Sequence, residues 1–268
     1  MAYCEIDGRN IYYELTGEGP PLVLIRGLGS NADHWYTQLP VLTPHFQVLT
    51  FDNRGIGRSD DTEGGYTIKG MAEDTIALMT HVGFRTASVF GLSMGGMIAQ
   101  EMALSFPERI HALILCVTHP GGQNQVSPSA ETAGIFRRMV AEGSPEAKAA
   151  AAPALFAAVS LEKKQPLIAE YAAISLKYPV PASILTKQWE ALAGFDAWDR
   201  LPQISAPTLV LSAAEDSLIP PANAGLLADR IPGSELLILQ DAGHQVLIEQ
   251  AELANAAVLA FLKKHHGI

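Results

Sequence analysis

The sequence ASVFGLSMGGMIAQ, residues 87–100, decides the fold of this chain. It starts with a short apolar run typical of a buried strand and continues with apolar residues at helical spacing. Between the two lies Gly91-Leu92-Ser93-Met94-Gly95, a G-x-S-x-G pattern in the strand-to-helix setting of a nucleophile elbow. Because neighbouring chain approaches such a sharp turn closely, the positions two before and two after the serine need minimal side chains, and both are glycine. The pattern predicts a nucleophilic Ser93; the alternative is a glycine-rich packing turn.

The alternation of strand and helix around Ser93 extends over most of the chain. Short runs rich in Val, Ile and Leu separate longer segments of helical period, which is typical of a mostly parallel sheet covered by helices. The turn dipeptide Asp7-Gly8 adds an antiparallel hairpin at one edge. Strands are expected over residues 2–6, 10–15, 22–25, 48–51, 87–90, 112–117, 208–212 and 236–239, and helices over 68–81, 94–105, 222–230 and 251–264. This order predicts an α/β fold with a mostly parallel eight-stranded sheet flanked by helices.

One segment breaks this alternation. Between residues 119 and 200 there is no strand-like run, whereas apolar residues recur at helical spacing between prolines. Several short helices separated by prolines are the natural interpretation, because about 80 residues is too long for a structureless connection in a compact domain. We therefore expect a core domain over residues 1–118 and 201–268, with a helical cap inserted over residues 119–200.

The composition excludes several classes of protein. The chain has 268 residues, of which 48% are hydrophobic, and a formal net charge of −10. A chain this long and apolar can bury a sizeable core, which argues against disorder. An acidic surface repels phosphate backbones and anionic lipid headgroups, so we expect no nucleic-acid or membrane partner.

The cysteines and the start of the chain bear on the compartment. Cys4 and Cys116 form no Cys-x-x-Cys motif and have no histidine at ligand spacing, so neither a disulfide framework nor a structural zinc is indicated. Residues 1–7 carry acidic groups where a signal peptide needs a basic region, and no apolar stretch reaches the roughly 18 residues of a membrane span. We expect a soluble, cytoplasmic protein, and the sequence leaves open whether it forms a homo-oligomer.

A serine hydroxyl is a weak nucleophile unless a base accepts its proton and a carboxylate orients that base. Both partners are available downstream, each in a loop that follows a strand-like run. Asp216 follows residues 208–212, at the carboxyl edge where open α/β sheets build their sites, and Glu215 is the rival carboxylate. His244 follows residues 236–239 and is the candidate base.

Acyl transfer also needs hydrogen-bond donors for the oxyanion of the tetrahedral intermediate, and backbone amides are the usual source. One should come from Met94, the residue after the nucleophile. The other should come from Leu28, in a glycine-flanked loop after a predicted strand. Leu218 and Val246, in loops beside the candidate acid and base, are expected to line the substrate pocket, as is His119, which follows the strand after the elbow.

With these motifs the chain resembles the α/β-hydrolase family from near its first residue to near its last. The loop DNRGIGRS, residues 52–59, is similar to the family's D-x-R-G-x-G-x-S turn, and GLSMGGMIAQ, residues 91–100, is most similar to the 3-oxoadipate enol-lactonase and small-molecule carboxylesterase branch. The resemblance implies an α/β-hydrolase fold and a serine hydrolase of carboxylic esters or lactones that needs no metal and no cofactor. It also implies that Ser93, Asp216 and His244 form the catalytic triad.

Other activities of the same fold remain open at this point. Carbon–carbon bond hydrolases of the family often have a tryptophan just after the catalytic histidine, whereas Gln245 follows His244 here. Cofactor-free perhydrolases share the fold, and a non-catalytic receptor for a small ligand is a rival of another class, because fold alone does not fix activity.

Arg26 departs from the family pattern, because many relatives have His-Gly before the oxyanion residue where this chain has Arg26-Gly27. Two interpretations follow. Either a carboxylate such as Asp33 holds Arg26, or Arg26 helps to receive an anionic substrate.

Overall fold

A computed structural model describes residues 2–268; Met1, the first residue of the expected core domain, lies outside the described residues. Within this range eight strands form a single sheet in the order β1-β2-β4-β3-β5-β6-β7-β8. They are β1 Ala2–Ile6, β2 Arg9–Thr16, β3 Pro21–Ile25, β4 Gln47–Phe51, β5 Ala87–Leu92, β6 Ile110–Cys116, β7 Thr208–Ala213 and β8 Glu235–Leu239. The pairs β1–β2 and β2–β4 are antiparallel and the other pairs are parallel. The expected mostly parallel sheet with a hairpin at one edge is confirmed.

The predicted strands are present, and their ends agree with the observed ends to within two residues. The difference at β5 matters for the site. Gly91 and Leu92 extend this strand beyond its expected end, because they pair with Leu115 and Cys116 of β6. The parallel ladder therefore continues up to the residue before Ser93 and anchors the elbow to the centre of the sheet.

Within residues 2–268, twelve α-helices accompany the sheet, and they include the four that the sequence predicts. They are α1 Leu39–Leu42, α2 Ile68–His81, α3 Met94–Ser105, α4 Ala130–Glu142, α5 Pro145–Ala150, α6 Ala152–Leu155, α7 Ala158–Lys163, α8 Gln165–Lys177, α9 Ala182–Ala193, α10 Ala222–Arg230, α11 Val246–Glu249 and α12 Ala251–His266. None of the helices in the described part of the chain has the length and apolar character that a membrane crossing requires.

Apolar side chains cover the sheet on both faces. Alternation along β3 places Val23 and Ile25 among apolar residues of α2 and α3 on one face, and Leu22 and Leu24 among those of α12 on the other. All four side chains are fully buried, and each burial of this kind contributes about 1.5–3 kcal/mol. This double packing fixes the central strands, and with them the carboxyl edge where the loops of the site begin.

Six helices, α4 to α9, lie between β6 and β7, in the segment where the sequence has no strand pattern. Pro145, Pro153 and Pro166 occupy the first turns of α5, α6 and α8, where a missing N–H costs no helical hydrogen bond. The hydroxyls of Ser129 and Ser144 cap α4 and α5 by accepting backbone amide hydrogens. The prolines thus start helices as well as separating them. We keep the division of the chain into a core and a cap as a prediction.

Candidate active site

Ser93 lies at the turn between β5 and α3, where the elbow pattern places it. Its φ of 56° and ψ of −119° form a backbone conformation that residues other than glycine rarely adopt. The Ser93 amide donates a hydrogen bond to Cys116 O at 2.9 Å, and Thr118 Oγ1 donates one to Ser93 O at 2.8 Å. Both partners lie at the end of β6 or just after it, so the neighbouring strand holds the strained turn in place.

The glycines of the elbow are required by the closeness of other backbone. A Cβ on Gly91 would lie 2.2 Å from Gly95 O, and a Cβ on Gly95 would lie 2.1 Å from Ile25 O. Both distances are far below van der Waals contact, and backbone atoms cannot rotate away as a side chain can. The turn that presents Ser93 therefore excludes any larger residue at these two positions.

Asp216 and His244 are joined by a hydrogen bond of 2.8 Å between Asp216 Oδ2 and His244 Nδ1. Both side chains are buried, whereas the rival Glu215 is exposed. The other oxygen of Asp216, Oδ1, accepts the amide hydrogens of Leu218 at 3.0 Å and Ile219 at 2.8 Å. With a proton on Nδ1, facing the carboxylate, His244 keeps Nε2 as a proton acceptor.

Ser93 and His244 line the same cavity, which has a volume of about 190 Å³. Ser93 is 8% exposed and His244 4%. Within residues 2–268 the Ser93 hydroxyl and the His244 ring make no hydrogen bond with each other, although His244 is bonded to Asp216. Such contacts are often long in unliganded enzymes and tighten when substrate binds. The structure thus brings the three predicted residues to one edge of the sheet, with the Asp–His bond formed.

The walls of the cavity are mainly apolar and come from two parts of the chain. The loop after β3 and the elbow supply one side, and helices α4 to α9 supply much of the other. Among the described residues that line the cavity, Lys148 of α5 is the only lysine or arginine. The apolar and aromatic residues that the segment 130–193 contributes to this lining include Phe136, Met139, Leu155, Phe156, Ile168, Tyr171, Ala172, Leu176 and Leu185.

The predicted oxyanion amides belong to Leu28 and Met94. Leu28 lines the cavity beside Ser93, and Met94 is the first residue of α3, where a helix leaves its amides without internal partners. Among residues 2–268, neither amide donates a hydrogen bond to a protein acceptor. The next amide, that of Gly29, donates to Gln188 Oε1 at 2.8 Å and so ties the loop to α9. Two amides next to Ser93 in sequence or space are therefore available to an external acceptor.

The three expected pocket residues have different positions. Leu218 lines the cavity. His119 is buried beside it, and its Nδ1 accepts the amide hydrogen of Gly121 at 3.0 Å; burial and the nearby His244 lower the pKa of His119 to about 4. Val246, the first residue of α11, is fully buried in the apolar cluster that covers one face of the sheet. Neither His119 nor Val246 is among the described residues that line the cavity, and their place at the substrate pocket stays a prediction.

The expectation that Asp33 holds Arg26 is wrong. The carboxylate of Asp33 pairs with Arg58 at 2.9 Å and Lys177 at 2.7 Å instead. Arg26 is 1% exposed, and its guanidinium lies 4.9 Å from the centre of the Trp35 ring. It donates only one long hydrogen bond, of 3.5 Å, to His34 O, and its Nε and Nη2 have no partner among residues 2–268. Burial lowers the pKa of this guanidinium.

Metal ligands and reactive thiols do not come together at this cavity. Among residues 2–268, no three His, Cys, Asp or Glu side chains lie close enough to hold a metal ion jointly. Cys4 and Cys116 are buried free thiols, and neither lines the cavity. We keep Ser93, Asp216 and His244 as the predicted catalytic groups of this cavity.

Sequence reasoning did not single out Lys148, Gln188 or Glu249. Glu249 accepts the amide hydrogens of Gly243 at 2.9 Å and Ala157 at 2.8 Å, so it joins the loop before His244 to the inserted helices. Gln188 and Glu249 make contacts between segments that are distant in the sequence, and no local motif encodes such contacts. For Lys148 alone a local signal existed, since it is a single cation in an alanine-rich run.

Comparison with known proteins identifies the family. The chain matches the model of the alpha/beta hydrolase fold over residues 20–251, a range that contains the elbow and the loops of Asp216 and His244. RutD of Stutzerimonas stutzeri (strain A1501), whose name proposes a carbamate hydrolase, is 30% identical over 270 residues, covering 96% of this chain and 98% of RutD.

Two solved structures extend the comparison to the whole fold. The enol-lactonase from Burkholderia xenovorans LB400 superposes with a TM-score of 0.88 at 29% identity, covering 98% of this chain and 100% of that one. A thermophilic esterase from Thermogutta terrifontis has a TM-score of 0.84 at 30% identity, covering 96% of this chain and 94% of the esterase. The chain therefore belongs to the alpha/beta hydrolase family, the family that its motifs resemble.

Proposed function

We propose that the chain is a serine hydrolase of the carboxylesterase or lactonase type, which cleaves esters or lactones of small molecules through an acyl-enzyme intermediate. The observation that carries the proposal is the meeting of a strained Ser93 and the Asp216–His244 pair at one apolar cavity. The similar structures named as an enol-lactonase and an esterase support this choice of substrate class.

In the first half of the reaction, Ser93 Oγ attacks the carbonyl carbon while His244 Nε2 accepts the hydroxyl proton. Asp216 stabilises the imidazolium that forms, and the amides of Leu28 and Met94 donate hydrogen bonds to the oxyanion. The tetrahedral intermediate collapses when the carbon–oxygen bond to the leaving group breaks and His244 gives its proton to that oxygen. An ester releases an alcohol, whereas a lactone opens and keeps its hydroxyl on the acyl chain.

In the second half, water replaces the leaving group. His244 Nε2 accepts a proton from this water, whose oxygen attacks the acyl carbonyl. The same two amides hold the second oxyanion. Collapse releases the carboxylic acid, and the proton on His244 returns to Ser93 Oγ, so the site regains its starting state without a cofactor.

The inserted segment, residues 119–200, acts in this proposal as a cap that shapes the substrate pocket. Its helices supply most of the apolar lining, while the nucleophile and the base come from loops at the carboxyl edge of the sheet. A pocket of this kind fits the apolar part of a small acyl or alcohol group.

The proposal predicts hydrolysis of p-nitrophenyl acyl esters or of simple lactones that depends on Ser93. We expect Ser93→Ala to lower kcat/KM by about 10³-fold or more, because the variant lacks the attacking oxygen. Ser127→Ala is the matched control, since Ser127 is exposed and lies outside the cavity. Release of p-nitrophenol and titration of the acid from lactones measure the activity.

A fluorophosphonate probe adds a test that is independent of the substrate. Mass spectrometry should locate the label on Ser93, and a good substrate should delay labelling. Full esterase turnover by Ser93→Ala would refute the mechanism. A chain that binds ester analogues but neither turns them over nor reacts with the probe would be a receptor for a small ligand rather than an enzyme.

A further inference from the structure

Lys148 is a cation in the wall of the cavity, and no residue of the described range 2–268 pairs with it. It lies near the end of α5, is half-buried, and lines the same space as Ser93 and His244. Within residues 2–268 it forms no ion pair, and burial alone lowers the pKa of its ammonium group. A partly desolvated ammonium gains more from a neighbouring anion than one in bulk water does.

The groups around Lys148 do not neutralise it. His34 Nε2 lies 3.0 Å from the hydroxyl of Ser175, which also lines the cavity. Burial, with the charges of Arg26 and Lys148 among the further causes, lowers the pKa of His34 to about 3, so this imidazole is neutral at pH 7. Lys148 and Ser175 line the same cavity, and a neutral imidazole next to Ser175 does not compensate a positive charge there.

No aspartate or glutamate is among the described residues that line the cavity. Asp216 is bonded to His244, and Asp33 pairs with Arg58 and Lys177. Arg26 precedes Gly27 of the cavity wall, and its buried guanidinium has two nitrogens without a partner among residues 2–268, which adds a further positive charge. The cavity of a chain with a net charge of −10 therefore holds an uncompensated positive charge.

We propose that Lys148 makes the site selective for esters or lactones whose apolar body ends in a carboxylate. The carboxylate pairs with Lys148 Nζ on the wall formed by α5, the apolar body lies against the inserted helices, and the reacting carbonyl lies at Ser93. This proposal rests on the proposed function, which it deepens by naming a substrate class. Lys148 is a specificity residue and takes no part in bond making or breaking.

A matched pair of substrates tests this selectivity. The p-nitrophenyl hemiester of suberic acid carries a terminal carboxylate, and p-nitrophenyl octanoate has the same chain length without the charge. We expect the wild-type chain to prefer the hemiester in kcat/KM. Lys148→Met should lower the ratio of the two kcat/KM values by roughly tenfold, mainly through the KM of the hemiester. Lys148→Arg should retain most of the preference because it keeps the positive charge.

Lys163→Met is the control, because Lys163 is an exposed lysine on α7 that does not line the cavity. It should leave the ratio unchanged to within about twofold. If the wild type hydrolyses octanoate through Ser93 but Lys148→Met leaves the ratio unchanged, the selectivity proposal is overturned and the proposed function stands. If neither ester is hydrolysed and the fluorophosphonate does not label Ser93, both proposals fail together.

Discussion

Asp216 uses its two carboxylate oxygens for different purposes. Oδ1 accepts the amide hydrogens of Leu218 and Ile219, which fix the orientation of the carboxylate, and Oδ2 accepts the hydrogen on His244 Nδ1. Because the NH₂ group of an asparagine donates hydrogen bonds and cannot accept them, the atom that faces these two backbone amides must remain an oxygen. These two acceptor roles predict how the side chain of an asparagine at position 216 would orient.

In Asp216→Asn, we expect the side-chain oxygen to stay with the two backbone amides and the NH₂ group to face His244 Nδ1. The imidazole must then accept a hydrogen at Nδ1 and carry its own proton on Nε2, so it cannot deprotonate Ser93. We predict a decrease in kcat of about 10³- to 10⁴-fold, the range expected when the catalytic histidine is held in the wrong tautomer. Steady-state kinetics with a p-nitrophenyl ester measures it.

Glu215→Gln is the control for this substitution, because Glu215 is the neighbouring carboxylate and its side chain is exposed. It should change kcat by no more than about twofold. Thermal unfolding of both variants checks that they fold. An Asp216→Asn variant that keeps more than a tenth of the wild-type kcat would show that another group orients His244.

At the residue scale, the sequence predicts groups that belong to a motif and fails for groups whose neighbours are distant. Ser93 lies in a pattern whose turn geometry excludes other residues, so its position follows from local sterics. The choice of Asp216 over Glu215 also agrees with the hydrogen bond to His244. The surroundings of Arg26 could not be predicted, because Asp33 pairs with Arg58 and Lys177, residues brought near it only by the fold.

Helix α9 supports the loop that carries the Leu28 amide. Gln188 is fully buried and accepts the Gly29 amide hydrogen at 2.8 Å, while a Cβ on Gly29 would lie 2.9 Å from Leu185 Cδ2. One element of the insertion therefore both bonds and packs against the residue after Leu28. An oxyanion donor works only when its position is right to within about an ångström. We therefore expect Gln188 to position the predicted Leu28 donor without itself contacting substrate.

We predict that Gln188→Leu lowers kcat by about tenfold or more and KM by little, because the loop loses the acceptor that fixes its position. The half-buried Gly29 amide, left without a partner, should also lower the free energy of unfolding by about 1 kcal/mol. Ester kinetics and denaturant unfolding measure the two effects.

A variant that keeps the acceptor distinguishes positioning from a general loss of stability. Gln188→Glu retains an oxygen for the Gly29 amide and should recover more of the kcat than of the stability, because it buries a charge. Gln203→Leu, at an exposed position, should change neither quantity. Equal kcat values for Gln188→Leu and the wild type would mean that the loop holds its shape without α9.

At the scale of elements, strands and long helices were predictable because their apolar periodicity is strong. The expected ends of α2, α3 and α10 agree with the observed ones. The insertion was predicted only as several helices between prolines, since a proline in a first turn and a proline after a helix give the same local signal. Which side chains of α4 to α9 line the cavity depends on how these helices pack, which periodicity does not encode.

Across the whole molecule, two buried histidines couple folding to pH. Burial and the charges nearby lower the pKa of His34 to about 3 and that of His119 to about 4. An exposed histidine of the unfolded chain has a pKa near 6.5. As the pH falls below this value, the unfolded chain binds protons that the folded chain excludes, so the free energy of unfolding decreases.

We predict that stability is greatest above about pH 6.5 and falls on acidification towards pH 4. Each of the two histidines should contribute a slope of up to about 1.4 kcal/mol per pH unit, and the slope should flatten as the folded chain takes up protons near pH 4 and 3. Burial alone would raise the pKa values of Asp33, Asp61 and Glu101, but their ion pairs and hydrogen bonds lower them. The stabilisation that these three carboxylates give the folded chain is therefore lost only when the pH falls below their ordinary pKa range. Urea unfolding from pH 8 to pH 4 measures the slope.

Substitutions that keep one hydrogen bond but cannot titrate assign this slope to its residues. In His119→Asn the side-chain oxygen can accept the Gly121 amide hydrogen in place of Nδ1, and in His34→Gln the amide can still reach Ser175. Each variant should lose a clear part of the slope between pH 6.5 and 4.5, whereas His81→Gln, at an exposed position, should retain it. If the double variant keeps the wild-type slope, other groups take up the protons, and His34 and His119 do not cause the loss of stability in acid.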